Sequence, residues 1–304
     1  LVLLSPVVIT ADTVMEAERI GEVEGMGEAE SAAMFADDIA ACEGDDLLVL
    51  SSMPDMAFPF FVHMQAQGRD EAMAIGGIEL LESDGESSST KQTADIEAAI
   101  VQGVNAIVIS PSDQAAMAPG IAQAVDAGIP VVTVDRRVEG VDGILAHVGA
   151  DNVLGGEAQG QWVIDNYPDG ATVFYLEGQP GSSPAIDRKA GAFSVLEAAG
   201  DAYEIVFEQT ANFRRDEGAS VTEAGLAGLE TPPDVIIAAN DDMALGALQA
   251  VTDLGLAGEI DILGFDALPE AIGAVLSGDL AGTVEQFPGG QIRTAMRIAV
   301  MEAR

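Results

Sequence analysis

The chain has 304 residues, 48% of them hydrophobic and 5% aromatic, and its 51 acidic and 12 basic side chains give a formal net charge of −39 at pH 7. This charge excludes nucleic acid and anionic membrane surfaces as partners. The apolar fraction is sufficient for one large or two medium cores, built mostly from aliphatic side chains. We interpret the charge as a hydrated surface suited to a saline medium, with cation binding or anion export as the alternative.

The first 46 residues do not have the pattern of a folded domain. Residues 1–11 begin with an apolar run that is too short to span a bilayer, and both the remnant of a secretory signal peptide and an ordinary strand fit it. Residues 12–46 are acidic with few large apolar side chains, which predicts a linker. The single cysteine, Cys42, excludes an internal disulfide. Residues 39–42 loosely resemble a lipoprotein cleavage box, so a lipid anchor at Cys42 is an alternative to an incidental cysteine.

From Leu47 onwards, short aliphatic runs alternate with amphipathic stretches. The first set predicts strands at 47–51, 78–81, 106–110, 130–134 and 144–148, with helices at 90–102 and 114–127. The second set predicts strands at 172–176, 203–207, 235–238 and 260–263, with helices at 184–199, 216–229, 241–254 and 269–276. Gly103, Gly128 and Gly200 stand where helices should end in the left-handed region. This repeated rhythm predicts an α/β chain of two similar lobes, each a parallel sheet flanked by helices.

Polar and aromatic side chains follow the predicted strands or stand near their ends. They are Phe60, Phe61, Asp135, Arg136, Arg188, Asn240 and Asp266. Because ligands of such sheets bind beyond the carboxyl ends of the strands, these residues predict a site in the cleft between the two lobes.

The chemistry of this set suits a polyhydroxylated ring. Each hydroxyl both donates and accepts, Arg and Asp can each bind two neighbouring hydroxyls, and Phe rings pack against C–H faces. Individually these residue types have plainer interpretations, such as a helix cap for Asp241 or core packing for Phe60 and Phe61. Their convergence at equivalent ends of two lobes favours a binding site.

Catalytic motifs are missing from the sequence. It contains no G-x-G-x-x-G after the first strand, no phosphate-binding loop, no G-x-S-x-G elbow and no Cys/His cluster, since His63 and His147 stand alone. We therefore predict no catalytic residue, no metal and no cofactor. Acid–base chemistry by cleft Asp and Arg side chains is the alternative.

Six segments carry a family resemblance. They are FPFF (58–61), QGVNAIVISP (102–111), PVVTVDR (130–136), ADNVLGG (150–156), NDDMALGAL (240–248) and GFD (264–266). Together they resemble the periplasmic ribose-binding-protein family of sugar ABC importers, and so imply a type I periplasmic-binding-protein fold. The resemblance implies that a sugar ring is sandwiched by Phe60, Phe61 and Phe213. It also implies hydrogen bonds from Asp135, Arg136, Arg188, Asn240, Asp266 and Gln286, with Gln179 and Phe265 lining the pocket.

The same resemblance implies the organisation and role of the chain. The N-terminal lobe would comprise residues 47–150 and 286–304, and the C-terminal lobe 151–285, with hinge closure about the crossings. The chain would be a monomeric, periplasmic protein that delivers a monosaccharide or polyol to the membrane subunits of an ABC permease. The alternative is sugar sensing, as a ligand carrier for a chemoreceptor or as the effector domain of a lac-repressor-like regulator. The acidic stretch before the lobes disfavours the regulator.

Three departures from the family pattern bear on the ligand and the fold. Phe58 stands where ribose binders have Asn, and Ala150 stands where they have Ser, so a hexose, an inositol or another polyol fits as well as ribose. The family also adds a third crossing and a last strand after the position of Arg304. Without them, we expect an uncovered sheet edge in the second lobe.

The net charge generates a prediction about salt. Screening of like charges should stabilise the folded chain, because the Debye length falls from about 10 Å at 0.1 M salt to about 3 Å at 1 M. Urea unfolding at low and molar sodium chloride should therefore give a higher midpoint at molar salt. Equal midpoints would contradict the interpretation of the charge as an adaptation to salt.

Overall fold

The computed structural model describes residues 1–14, Ala40, Cys42 and 44–304. Within these residues it contains two six-stranded sheets and nine helices. Most of the predicted linker at 12–46 lies outside the described residues. No described helix combines the length and apolar character that a membrane span requires.

Each sheet belongs to one lobe, which confirms the predicted two-lobed α/β fold. The first-lobe sheet has the order β1-β7-β6-β5-β3-β4 and is parallel throughout. Its strands are β1 (Val2–Leu4), β3 (Leu47–Met53), β4 (Ile78–Asp84), β5 (Ala106–Ile109), β6 (Val131–Val134) and β7 (Ala146–Ala150). The second-lobe sheet has the order β2-β12-β11-β10-β8-β9. Its strands are β2 (Val7–Thr10), β8 (Ala171–Glu177), β9 (Tyr203–Thr210), β10 (Val235–Ala238), β11 (Asp261–Leu263) and β12 (Gly282–Glu285).

The helices divide between the lobes in the same way. The first lobe contains α1 (Pro59–Ile75), α2 (Ser89–Gln102), α3 (Ala118–Asp126) and α9 (Pro288–Ala303). The second lobe contains α4 (Asn152–Asn166), α5 (Ser183–Ala199), α6 (Arg215–Gly228), α7 (Asp241–Asp253) and α8 (Pro269–Ser277).

The central strands show why these residues form sheets. β5 (AIVI), β6 (VVTV) and β10 (VIIA) are buried along their whole length. β-Branched side chains suit a pleated surface, and strands buried on both faces are typical of parallel sheets covered by helices. Four of the nine described helices begin at a side-chain cap: Ser88, Asp151, Ser182 and Asn240 each accept a hydrogen bond from a backbone N–H three residues on.

Residues 1–10 contribute a strand to each sheet. β1 pairs parallel with β7, and β2 pairs antiparallel with β12, from Gly282 opposite Thr10 to Glu285 opposite Val7. The expectation of an uncovered edge in the second lobe is therefore wrong, because β2 covers β12. Its Ile9 is fully buried with Val14, Ala267 and Ile272.

Because β1 and β2 belong to different sheets, the chain makes an additional crossing between the lobes. The chain crosses at residues 5–6, between β1 and β2, as well as at Asp151 and at residues 286–287. Residues 1–11 contain the strands β1 and β2 in the structure, and their interpretation as the remnant of a signal peptide stays a prediction. Cleavage before Cys42 would remove both strands, and Cys42 is itself buried, with its thiol donating to the carbonyl of Arg297 at 3.8 Å. This arrangement disfavours a lipid anchor at Cys42.

Three local expectations differ from the structure. No helix is predicted between the strands at 47–51 and 78–81, but α1 lies there. It begins at Pro59, which suits a first helical position because proline lacks the N–H that would be unpaired there. Helix α4 escaped prediction because Gly155, Gly156 and Gly160 lower its helix propensity. Gly200 has φ 103° and ψ −177°, so it ends its helix outside the left-handed helical region.

Packing against α5 explains the glycines of α4. A Cβ on Gly156 would lie 2.0 Å from the carbonyl oxygen of Arg188, and a Cβ on Gly191 would lie 2.1 Å from that of Val153. The backbones of α4 and α5 are therefore in direct contact, at Gly156 of α4 and at Gly191 of α5. This close crossing fixes the position of the α5 turn that carries Arg188.

Gly156→Ala should destabilise the chain, because the added methyl group forces the two helices apart. We expect a loss of about 1–3 kcal/mol in the free energy of unfolding, measured by urea unfolding. Gly273→Ala is the matched control, since this exposed glycine of α8 has no atom within 4 Å of its would-be Cβ. There the higher helix propensity of alanine should stabilise by up to about 1 kcal/mol. Equal effects of the two substitutions would contradict the proposed close crossing.

Candidate ligand-binding site

The carboxyl ends of strands from both sheets meet at a cavity of about 30 Å³ between the lobes, which we call the cleft cavity. It is lined by Phe58, Phe60, Phe61, Asp135, Arg136, Pro184, Arg188, Phe213, Asn240, Asp242, Asp266 and Gln286. Both lobes and one crossing contribute to this lining. The cavity therefore lies where the parallel sheets predict a ligand site.

Nine of the eleven residues predicted for the site line the cleft cavity. The other two lie behind the lining, where they support its arginines. Gln179 accepts a hydrogen bond from Nη1 of Arg136 at 3.0 Å, and the Phe265 ring centroid lies 3.7 Å from Cζ of Arg188. Their direct contact with a ligand stays a prediction.

Aromatic rings form the apolar walls. Phe60 and Phe61, in the first turn of α1, pack edge to face with centroids 5.1 Å apart, and Phe58 packs against Phe61 at 6.3 Å. Phe213 comes from the second lobe and has φ 62°, an uncommon value for a non-glycine residue. Gly178 makes room for it, because a Cβ there would lie 2.1 Å from the Phe213 ring.

The first lobe supplies one carboxylate and one guanidinium. Asp135 and Arg136 follow directly after β6, and each side chain is less than 5% exposed. The Arg136 guanidinium is held by the carbonyl of Ser112 at 3.1 Å and lies 5.3 Å from the Phe61 centroid. Its Nε is 3.9 Å from the Asp135 carboxylate. Arg136 therefore has a fixed position at the aromatic wall.

The second lobe holds Arg188 still more tightly. Its Nε donates to Oδ1 of Asn152 at 2.8 Å, and its Nη1 donates to the carbonyl of Ala239 at 2.7 Å. The same Nη1 lies 3.5 Å from Oδ1 of Asp266. Gln286 donates to that Asp266 oxygen at 2.5 Å, and its own Oε1 is buried without a hydrogen-bond partner among the described residues. A ligand hydroxyl could satisfy this acceptor.

The polar atoms of Asn240 bond to the protein. Its Oδ1 caps α7 by accepting from the N–H of Met243 at 3.0 Å, and its Nδ2 donates to the carbonyl of Phe213 at 3.2 Å. The cap is therefore Asn240 and not Asp241, for which the sequence suggested that role. Asp241 is buried below, where it accepts from Thr283 and from the N–H of Leu268.

Burial dominates the electrostatics of the cleft cavity. It raises the pKa of Asp135 and of Asp242, and it raises the pKa of Asp266 to about 8 although Arg188 acts in the opposite direction. Burial also lowers the pKa of Arg136 to about 10. These charged groups have lost their water, so they gain most from a ligand that replaces its hydrogen bonds.

Three lining residues are not among those predicted from the sequence. Phe58 departs from the family pattern, and the structure makes it part of the site. Asp242 is the second residue of α7, beside the predicted Asn240, and its carboxylate also accepts from Arg215 at 3.3 Å. In the sequence, its position close to the predicted site residue Asn240 is the feature that could have identified it. Pro184, in the first turn of α5, carried no sequence signal for binding.

The arrangement supplies hydrogen bonds and ring faces. Among residues 1–14, Ala40, Cys42 and 44–304, no cluster of three or more His, Cys, Asp or Glu side chains could hold a metal ion. His147 bonds to Thr133 through Nδ1 at 2.9 Å, and burial lowers its pKa to about 4. It is therefore a neutral strand residue at pH 7. What the cleft cavity can do chemically is surround a small hydroxylated molecule.

The lobes are in contact around this cavity. The N–H of Gln114 in the first lobe donates to the carbonyl of Gly181 in the second at 2.9 Å. The nine residues that were predicted from the sequence and line the cleft cavity are each less than 8% exposed. A ligand can reach them only when the lobes part, which makes the three crossings a hinge.

Comparison with known proteins gives a consistent picture. A family model described as "Periplasmic binding protein domain" matches residues 49–304. The ribose import binding protein RbsB of Bacillus subtilis is 36% identical over 232 residues, 76% of this chain and 73% of that protein.

Two solved structures resemble the fold closely. The Caulobacter myo-inositol binding protein, bound to myo-inositol, is 43% identical with a TM-score of 0.82, over 86% of this chain and 89% of that one. A solute binding protein of an ABC transporter from Bacillus halodurans, also with bound myo-inositol, is 31% identical with a TM-score of 0.81, over 86% of this chain and 90% of that one. The fold, the cleft cavity and the family model agree, and the chain belongs to the periplasmic binding protein family, among the sugar-binding relatives of the ribose-binding proteins.

Proposed function

We propose that this chain is an extracytoplasmic solute-binding protein that closes its lobes around one cyclic polyol, with myo-inositol preferred over ribose. It would deliver that ligand, as a monomer, to the membrane subunits of an ABC importer. The observation that carries the proposal is the composition of the cleft cavity. Buried guanidinium and carboxyl groups line the same cavity as phenylalanine rings.

The charges of the lining favour a neutral ligand. The three Asp side chains favour no anion in either protonation state, and the two guanidinium groups would repel a cation. A neutral ring with many hydroxyls can donate to Asp135 and Asp266 and accept from Arg136 and Arg188 at once. Its C–H faces can pack against the phenylalanine rings. Such a ligand satisfies the buried charges without adding a charge of its own.

Two positions favour a carbocyclic polyol over ribose. Phe58 lines the cleft cavity, and Ala150 is buried at the end of β7, beside the crossing into the second lobe. Both side chains are apolar where ribose binders carry a polar one. Two relatives with structural similarity along most of the chain hold myo-inositol. These observations support an inositol as the first ligand to test.

The relatives are named as binding proteins, and we extend that role to this chain in place of catalysis. Presentation of the loaded protein to a chemoreceptor would use the same closed lobes. Transport and sensing therefore share the cleft cavity and differ in the partner that recognises the closed form.

A thermal-shift screen tests the ligand class. Myo-inositol, ribose, hexoses and acyclic polyols should be compared at equal concentration. Ligand at 100 times its dissociation constant should stabilise the folded chain by about 2.7 kcal/mol. We expect the largest shift with myo-inositol. A shift with none of these compounds would overturn the proposed function.

Arg188→Ala should weaken binding by about 2–5 kcal/mol, because it leaves the buried Asp266 without its charged partner and removes a ligand donor. Isothermal titration calorimetry measures the loss. Arg69→Ala is the matched control, since Arg69 pairs with Glu82 on the surface of the first lobe. Unchanged affinity in Arg188→Ala, or an equal loss in Arg69→Ala, would place the ligand elsewhere.

Asp266→Asn should change the pH dependence of stability. Burial raises the pKa of Asp266 from 3.8 to about 8 in the folded chain, so its contribution to stability is present below the unfolded pKa and is lost as pH rises towards 8. Relative to Asp266→Asn, the free energy of unfolding of the unsubstituted chain should fall over this range by at most about 1.4 kcal/mol per pH unit. Urea unfolding without ligand measures this difference. Parallel pH profiles would show that Asp266 is hydrated in the folded chain.

A further inference from the structure

Positive charge is scarce in this chain and is concentrated where the lobes meet. Of the twelve Lys and Arg residues, four lie at the interface between the lobes: Arg136, Arg137, Arg188 and Arg214. Each lobe carries more acidic than basic side chains. Closure brings two negatively charged bodies together, so attraction across the cleft must offset their repulsion.

The first attraction joins Arg214 to Asp55. Arg214 immediately precedes α6 in the second lobe, and its Nη2 donates to Oδ2 of Asp55 in the first lobe at 2.8 Å. The Asp55 carboxylate is 8% exposed and also accepts from Ser87 at 2.5 Å. The guanidinium of Arg214 lies 5.1 Å from the centroid of Phe58, a wall of the cleft cavity, although Arg214 itself does not line that cavity.

The second attraction joins Arg137 to Asp187. Arg137 follows the first-lobe site residues, and Asp187 precedes Arg188 on α5. Two parallel hydrogen bonds connect them, one from Nη2 to Oδ1 at 2.8 Å and one from Nη1 to Oδ2. The backbone N–H of Arg137 also donates to Oγ of Ser183 at 3.0 Å. Neither charged partner lines the cleft cavity.

We propose that Arg214–Asp55 and Arg137–Asp187 are closure latches, positioning pairs that hold the lobes together over the ligand and thereby set how long it stays bound. The inference rests on the proposed function, and it adds residues that act without touching the ligand. Because the lobes must part to admit a ligand, both pairs break on opening. A contact made only in the closed state raises the closed population, and with it the apparent affinity.

The chain contains a matched pair that cannot act as a latch. Arg69 and Glu82 lie within the first lobe and form the same two-bonded arrangement, with Nε to Oε1 at 2.5 Å and Nη2 to Oε2 at 2.7 Å. This pair is present whether the lobes are open or closed. It separates an effect on closure from the general loss of an ion pair.

The test compares Arg214→Gln and Arg137→Gln with Arg69→Gln, using myo-inositol as the probe. Titration calorimetry gives the affinity, and stopped-flow displacement gives the dissociation rate. Each latch variant should weaken binding about threefold to fivefold, the effect of one partly exposed ion pair, through faster dissociation. Arg69→Gln should leave both quantities unchanged. Adding Asp55→Asn to Arg214→Gln should cost less than the sum of the single changes, because both remove the same pair.

Latch variants that bind and release myo-inositol like the unsubstituted chain would overturn the inference, as would an equal loss in Arg69→Gln. If the unsubstituted chain does not bind myo-inositol, the ligand assignment fails separately. The latches are then tested by small-angle X-ray scattering of the ligand-free chains. Latch variants should have a larger radius of gyration than the unsubstituted chain and Arg69→Gln, and equal radii would overturn the inference.

Discussion

The position of one buried guanidinium, that of Arg188, links the fold to the cleft. Glycines at the crossing of α4 and α5 let the two helices touch, and the carbonyl of Arg188 itself lies against Gly156. From there the side chain reaches Asn152, the carbonyl of Ala239 and the carboxylate of Asp266, and it lies over the ring of Phe265. A charge this deeply buried is tolerated only when it is bonded on all sides. The backbone crossing, the charge and the ligand site are therefore one connected arrangement.

The passages between the lobes impose a second constraint. Three segments connect the sheets, and the first of them is formed by residues 1–10 through β1 and β2. We infer that these three connections restrict the relative motion of the lobes to opening and closing. The closure latches join the lobes through residues that do not line the cleft cavity. A small difference in free energy between open and closed forms can then control ligand release.

Much of the fold and of the site can be predicted from the sequence, because short local patterns of residues determine it. Aliphatic runs separated by amphipathic stretches define the strands and helices. Residues that follow a parallel strand closely, such as Asp135 and Asp266, are expected at the edge of the sheet where ligands bind. The features that could not be predicted depend on contacts between residues that are far apart in the sequence. The pairing of β2 with β12 joins the two ends of the chain, and Arg214 meets Asp55 across 159 residues. Helix α4 forms against its own propensity because α5 accommodates its glycines.

The central claim is that the buried charges and rings of the cleft cavity surround one polyol ring. A crystal structure of the chain grown with myo-inositol tests it most directly. We expect one molecule between the lobes, with Phe60 and Phe213 near its faces. Its hydroxyls should lie within hydrogen-bonding distance of Asp135, Arg188 and Asp266. Myo-inositol bound outside the cleft, or a cleft closed without it, would contradict this claim.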